Sequence, residues 1–257
     1  MKETLTVVKV GGAVVEDEAQ LAQLLDAFAA IRGHKVLVHG GGRSATRMAA
    51  ALGIESKMVN GRRITDSEMI RVVTMVYGGL VNKNVVAQLQ SRGIDALGLT
   101  GADMDVIRSH KRPVKDIDYG FVGDVDRADG DKLAFLLRQG ITPVMAPLTH
   151  DGEGHILNTN ADTIASETAK ALAQHFEVTL IYSFEQPGVM TSMEADAIVI
   201  PVITRERFSQ LVADGTISGG MIPKLENALQ AVEHGVRRVI ITQATAIDGS
   251  KGTVIEA

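Results

Sequence analysis

Lys9 and Lys224 stand where lysines are rarely placed. Lys9 follows the apolar run TLTVV, one residue before Val10 and the pair Gly11 and Gly12. A lysine is almost never fully buried unless it is paired. A strand ending this way puts charge at the carboxyl edge, where α/β proteins bind ligands. A snorkelling lysine is the alternative, and the glycine turn that follows weighs against it. Lys224 ends the string GGMIPK. From there Leu225, Leu229 and Val232 share a helical face, with Pro223 suited to the first helical position and Gly235 to the stop. Lys224 then lies in the first turn, where the helix dipole already supplies positive charge and a cation is disfavoured. The stretch LNTNADTIA adds Asn158, Asn160 and Asp162. Asp162 falls in the first turn of its own helix, either as a local cap or as the carboxylate that holds both lysines in place.

Two glycine turns extend this set. VVKVGGAVVED and VLVHGGGRSAT each read strand, glycines, helix. Glycine lets backbone N–H groups approach an anion closely, and a helix N-terminus adds partial positive charge. No G-x-x-x-x-G-K-[ST] string occurs, so there is no Walker loop. GGGRSA fits G-x-G-x-x-A, but where a dinucleotide site needs an acidic residue about 20 positions later, the chain has NGRRITD with two arginines. A dinucleotide oxidoreductase is therefore a weak reading.

These residues need strands whose carboxyl ends converge. Short apolar runs alternate with helical patterns almost throughout. TLTVVKV, KVLVH, IDALGLTG, ITPVMAPL, EVTLIYS, RRVIIT and GTVIEA read as strands. Helices are expected from Leu21 through Phe28, from Ala45 to Leu52, from Asp66 to about Arg92, after an Asn160 cap, over TRERFSQLVADG, and behind Lys224. SKMVNGRRIT reads as a hairpin on NG, and Asp105 to Asp126 as small antiparallel strands. The expected fold is an α/β three-layer sandwich, a mainly parallel central sheet with helices on both faces. A seam near His175 to Glu177 divides one domain into an N-terminal lobe, 1–175, and a C-terminal lobe, 176–257, sharing the sheet. The 257 residues, 45% hydrophobic, are ample for such a core. A net charge of −5 with no basic run argues against nucleic acid as a partner. The absence of cysteine excludes disulfides, thiolate metal sites and a cysteine nucleophile. No run is long enough for a signal peptide or membrane span, so a soluble cytoplasmic protein is the expectation.

The strings KVGG, VHGGG, NGRRITD, VYGGLVNKNVV, GLTGAD, DYGFVGDV, ITPVMAPL, LNTNAD, GGMIPK and KGT run in order from residue 9 to the last strand. Through them the chain resembles the amino-acid kinase family, and within it the acetylglutamate kinase branch. NGRRITD with NTNAD and GGMIPK carries the branch; KVGG alone does not. The resemblance implies the amino-acid kinase (carbamate kinase-like) fold and ATP-dependent phosphorylation of the side-chain carboxylate of N-acetyl-L-glutamate, or of a close N-acyl glutamate such as N-succinylglutamate. The product would be an acyl phosphate, in the second step of arginine biosynthesis. It implies that Lys9 and Lys224 stabilise the phosphoryl group in flight and that Asp162 orders them. Gly41 and Gly42, Arg63 and Asn158 would hold the acylated glutamate, Gly11 and Gly12 would line the ATP phosphates, and the base would sit on the C-terminal lobe. Elementary chemistry agrees. Phosphoryl transfer is largely positioning and electrostatics, and a carboxylate acceptor is already ionised near neutral pH, so no general base is needed. Mg²⁺ would be held mainly by phosphates and water, with no protein ligand assigned. Arg63 suits an α-carboxylate because its planar fork binds both oxygens. Two alternatives stay open: another acceptor (aminoadipate, carbamate or a nucleoside monophosphate), and a non-catalytic nucleotide- or amino-acid-binding regulator.

Three places depart from the family pattern. Arg43 and Ser44 follow HGGG where proline is common. YSFEQPGVM stands where a Thr/Ser-Asp-Val turn usually contacts nucleotide, and the stretch before the last strand is short. Arg43, with Arg62 beside Arg63, raises the expectation of a longer anionic acyl group such as succinyl; a solvated arginine at a helix start is the alternative. The first strand begins close to Met1, without the extra N-terminal helix that links dimers of arginine-inhibited members into hexamers. A homodimer without arginine feedback is expected; MIRVVTMVYGGLV reads either as its contact helix or as a simple core helix.

Overall fold

The computed structural model describes residues 2–59, 61–192, 197–219 and 221–256. Asn60 of the expected NG turn and Gly220 of GGMIPK lie outside the described residues. The chain opens with β1 (Thr4–Val10), a short α1 (Gly12–Glu16), α2 (Glu18–Ala30), β2 (His34–His39) and α3 (Gly42–Ala51). The hairpin is β3 (Met58–Val59) and β4 (Arg62–Arg63). Asp66 then caps α4 (Ser67–Val73), which runs through a π-helical stretch, Thr74–Val81, into α5 (Asn82–Gln90). There follow β5 (Ala96–Leu99), β6 (Ile107–Lys111), β7 (Gly123–Ala128), α6 (Gly130–Arg138), β8 (Thr142–Met145), β9 (Leu148–His150) and β10 (Ile156–Asn158). The remainder is α7 (Ala161–Leu172), β11 (Glu177–Phe184), β12 (Val202–Ile203), α8 (Arg205–Ala213), α9 (Met221–Glu233), β13 (Arg238–Gln243) and β14 (Thr253–Ile255).

Eight strands form the central sheet in the order β12-β14-β13-β11-β1-β2-β8-β5. Its pairs are parallel except β13 with β14. The near-continuous apolar strands suit burial on both faces. Leu5, Val7, Leu180, Val239 and Ile241 join a core roofed by α6, α7, α8 and α9, while Val8, Val10, Ile181 and Ile240 face α2 and α5. β1 lies between β2 and β11, so chain connections leave it in opposite directions, and the carboxyl ends there form the crevice expected at a topological switch point. A four-stranded sheet, β10-β9-β6-β7, accounts for the small strands expected before residue 126.

The helix α6 was not among the expected elements, and two expected helices differ in detail. The long helix is not regular: Gly78 and Gly79 offer little α-helical propensity, and Thr74–Val81 adopts the wider π form. The lysine helix starts at Met221 rather than at Pro223. N–H groups of a first turn have no helical partner, so proline is tolerated there as well as at its opening position.

Candidate active site

Strand register brings the first group together. Lys9 pairs with Tyr182, and Tyr182 with Ile241, so all three side chains stand on one sheet face, at its carboxyl end. Phe184, two residues beyond Tyr182, lies on the same side. α7 and α9 pack over this face and bring Asp162 and Lys224 to it. Asn160 fixes the start of α7, its Oδ1 accepting from the backbone N–H of Asp162 at 2.7 Å and of Thr163 at 3.3 Å. Lys9 Nζ sits 2.7 Å from Asp162 Oδ1, and Lys9 is 7% exposed. The contact is Coulombic and lies outside hydrogen-bond geometry. Lys35, also buried, shows what a structural lysine does here: its Nζ donates to the carbonyls of Phe28, Ala29 and Ile31 and so caps the end of α2. Among the described residues, Lys9 and Lys224 have no such cage; their ammonium groups lie over the Phe184 ring, 4.9 Å and 4.1 Å from its centroid.

The glycine turns abut. A Cβ on Gly40 would lie 3.3 Å from Gly12 N, and one on Gly41 only 2.8 Å from Tyr77 Cδ1. The turns can approach this closely only without side chains, and Tyr77 is delivered to Gly41 by the π-helical stretch. Glu16, at the end of α1, accepts from Ser44 Oγ at 2.9 Å and from Arg47 Nη1 at 2.7 Å, which ties the two turn helices together. His39 anchors the second turn from below. It is fully buried, its Nδ1 lies 2.7 Å from Gly40 O, and its Nε2 lies 3.1 Å from Asn82 Nδ2. A carbonyl only accepts, so Nδ1 carries the proton and Nε2 accepts from the amide. Burial drives its pKa down to about 4, with the Lys83 charge adding to the effect and the Gly40 bond opposing it.

Two cavities meet at these turns. One, about 520 Å³, is lined by Lys9, Gly11, Gly12, Asp162, Phe184 and Lys224, with Gly40, Gly41 and Gly42 on its wall. The other, about 240 Å³, takes Gly40, Gly41 and Gly42 as its wall from the other side and adds Arg62, Arg63, Tyr77, Arg112, Asp124 and Asn158. Arg63 is buried; its Nη2 donates to Gly42 O at 2.8 Å and Thr46 Oγ1 at 2.9 Å, and its Nη1 donates to Ser56 Oγ. Burial raises the Tyr77 phenol above its usual range, and Arg63 beside it opposes that shift. Asn158 Nδ2 donates to Thr65 Oγ1 at 3.0 Å. Arg112 forks onto Asp124, and its hydrogen bonds lower that carboxyl's pKa.

All nine residues singled out in the sequence line one or other cavity. Arg43 does not reach the Arg63 chamber. It lines the wider cavity, with its Nη2 3.6 Å from Glu185 Oε1, so the sequence-based link to an acyl group is not supported by its position. Both members of that pair, Arg43 and Glu185, are departures from the family pattern. Arg112, Asp124, Tyr77, His39 and Phe184 were missed. Only Phe184 carried a signal, its period-two spacing from Tyr182 on a strand ending in a turn. Among the described residues, the cluster of Asp151, Glu153 and His155 could hold a cation, but it lies on the β9–β10 loop and none of the three lines either cavity.

The sequence profile of the Amino acid kinase family matches residues 4–243. An acetylglutamate kinase of Bacteroides thetaiotaomicron is 68% identical, with all of both chains covered. One of Phocaeicola vulgatus is 67% identical, again over all of both chains. Among solved structures, smu.665 of Streptococcus mutans UA159 superposes with a TM-score of 0.78 at 28% identity, covering 98% of each chain. With its parallel sheet, paired glycine turns and converging lysines, the chain belongs to the amino acid kinase family, on its acetylglutamate kinase branch.

Proposed function

We propose that this protein transfers the γ-phosphoryl group of ATP to the side-chain carboxylate of N-acetyl-L-glutamate, giving an acyl phosphate for arginine biosynthesis. The observation that carries this reading is the shared Gly40–Gly42 wall, with lysines on one side and a buried arginine on the other. ATP and a carboxylate repel each other, so the reaction first needs cations and N–H donors. Gly11, Gly12 and the Gly40–Gly42 turn supply backbone donors, and Lys9 and Lys224 supply charge at the phosphoryl group in flight. Asp162 holds Lys9 against its own repulsion for Lys224. In the smaller chamber Arg63 and Asn158 hold the amino-acid end of the substrate, and the acceptor carboxylate reaches the glycine wall already ionised. Mg²⁺ fits as an ion carried in by the nucleotide, since the two carboxylates lining the lysine cavity are already engaged, Asp162 by Lys9 and Glu185 by Arg43. When bound, it neutralises charge on the β- and γ-phosphates.

The C-terminal lobe, 176–257, would hold the nucleotide base and the N-terminal lobe, 1–175, the acyl amino acid. We assign a homodimer to the α4–α5 face, supported by exposed Met75 and Leu80 and by an apolar groove beside them that includes Ile70, Phe121 and Ile156. No helix among the described residues is long and apolar enough to cross a membrane, and the cytoplasm is the compartment we assign. Incubation with ATP, Mg²⁺ and hydroxylamine tests the reaction: hydroxamate should form with an N-acyl glutamate and not with free glutamate. Parallel runs with the acetyl and succinyl forms identify the acyl group. No hydroxamate with any of them would overturn the reading.

A further inference from the structure

Phe184 occupies the end of β11, where the sequence departs from the family's Thr/Ser-Asp turn. Its half-buried ring lies under both ammonium groups, at 4.9 Å from Lys9 Nζ and 4.1 Å from Lys224 Nζ. Each distance is within the range over which an aromatic face attracts a cation. Behind it stands Tyr182, stacked at 6.1 Å with planes 16° apart. The Tyr182 hydroxyl donates to the backbone carbonyl of Asp162 at 3.2 Å. Burial, and then the nearby Asp162 charge, raise the pKa of that phenol, so it remains a neutral donor. A continuous stack therefore runs from the first turn of α7, through Tyr182 and Phe184, to the two lysines. The charge count shows why it is needed. Arg43 and Glu185 pair with each other across the cavity, which leaves Lys9 and Lys224 facing Asp162, 2.7 Å from Lys9. Lys224 has no ion-pair partner among the described residues, and it also opposes the dipole of its own helix.

We propose that Phe184 is a positioning residue for phosphoryl transfer: its ring face holds Lys9 and Lys224 in the cavity before the phosphates arrive. A cation over a ring keeps its hydrogen-bond donors free, whereas a second carboxylate would occupy them and compete with the phosphate. Asp162 thus supplies the charge pairing, and the ring supplies attraction without neutralising the site. The proposal rests on the assignment of both lysines to the phosphoryl group in the reading above.

The test replaces Phe184 in turn by mono-, tri- and pentafluorophenylalanine, which empty the ring face of negative potential while nearly preserving its shape. Turnover should fall stepwise with fluorination, by about ten-fold at the last member, with the KM for ATP little changed. Phe184→Leu should lose a similar factor, and Phe184→Tyr should restore turnover to within about two-fold. A kcat that stays flat across the fluorinated series would overturn the proposal. So would a loss confined to the KM for ATP, which would make the ring a wall of the nucleotide cavity. Lys9→Ala and Lys224→Ala are measured alongside. If they keep wild-type turnover, the assignment of the lysines fails and takes this proposal with it. If they lose turnover while the fluorinated proteins do not, only the role of Phe184 fails.

Discussion

Both ammonium groups lie over the Phe184 ring, and Lys9 also faces Asp162. Lys224→Ala should lower kcat by about 10²–10³, the usual cost of one electrostatic stabiliser of about 2.7–4 kcal/mol, with the KM for the acyl amino acid nearly unchanged. Steady-state kinetics with saturating ATP checks the split; a loss confined to KM would reassign the residue to binding. Gly41 offers a second residue-scale test. A methyl there meets the Tyr77 ring at 2.8 Å, so Gly41→Ala should cost about 1–3 kcal/mol of stability in urea titration as the ring is displaced. In a Tyr77→Ala background the same substitution should cost less, because the clash is with this one side chain.

At the scale of elements, the caps and turns that aim these residues are stability features in their own right. Asn160→Ala should lower stability by about 1 kcal/mol, as lost N-caps do. It should also reduce turnover, since the same turn presents Asp162. A variant that loses stability and keeps full kcat would separate the cap from the site. Most of these elements are legible in the sequence because local rules write them: short, near-continuous apolar runs for β1, β2 and β11, glycine turns after two of them, and an Asx cap before α7. The lysines were legible because each breaks such a rule, one by burial and one by opposing a dipole. The π-helical stretch was not, because its apolar pattern fits an ordinary helix, and Gly78 and Gly79 weaken an α-helix without specifying the wider winding. Arg112 and Asp124 were not, because their pairing depends on how β6 meets β7. Arg43 was misplaced for a similar reason: its neighbours in sequence are substrate-loop glycines, yet its partner, Glu185, comes from the far side of the crevice.

For the whole molecule, His39 links site architecture to pH. Its pKa is about 4 in the folded state against the ordinary 6.5 of an exposed histidine. Between those values the unfolded chain binds a proton that the native state refuses. Stability should therefore fall as pH drops from about 6.5 toward 4, by up to about 1.4 kcal/mol per pH unit from this group, and be insensitive to it above neutrality. Urea midpoints across that window for wild type and His39→Gln check this; the variant should show the shallower slope. The dimer assignment is tested by sedimentation, where Met75→Lys should shift the protein toward monomer.

The placement of β1 has a consequence for synthesis. Its neighbours are β2, made almost at once, and β11, which begins at Glu177. At about 5–20 residues per second, the nascent chain waits on the order of ten seconds between them. For that interval one rim of β1 is a bare row of N–H and C=O groups, the kind of edge that recruits foreign strands. An inward-pointing charge is among the devices that blunt such an edge, and Lys9 supplies one at the end of β1. The residue assigned to phosphate in the finished enzyme is also the one charged residue that β1 carries while that rim stands open.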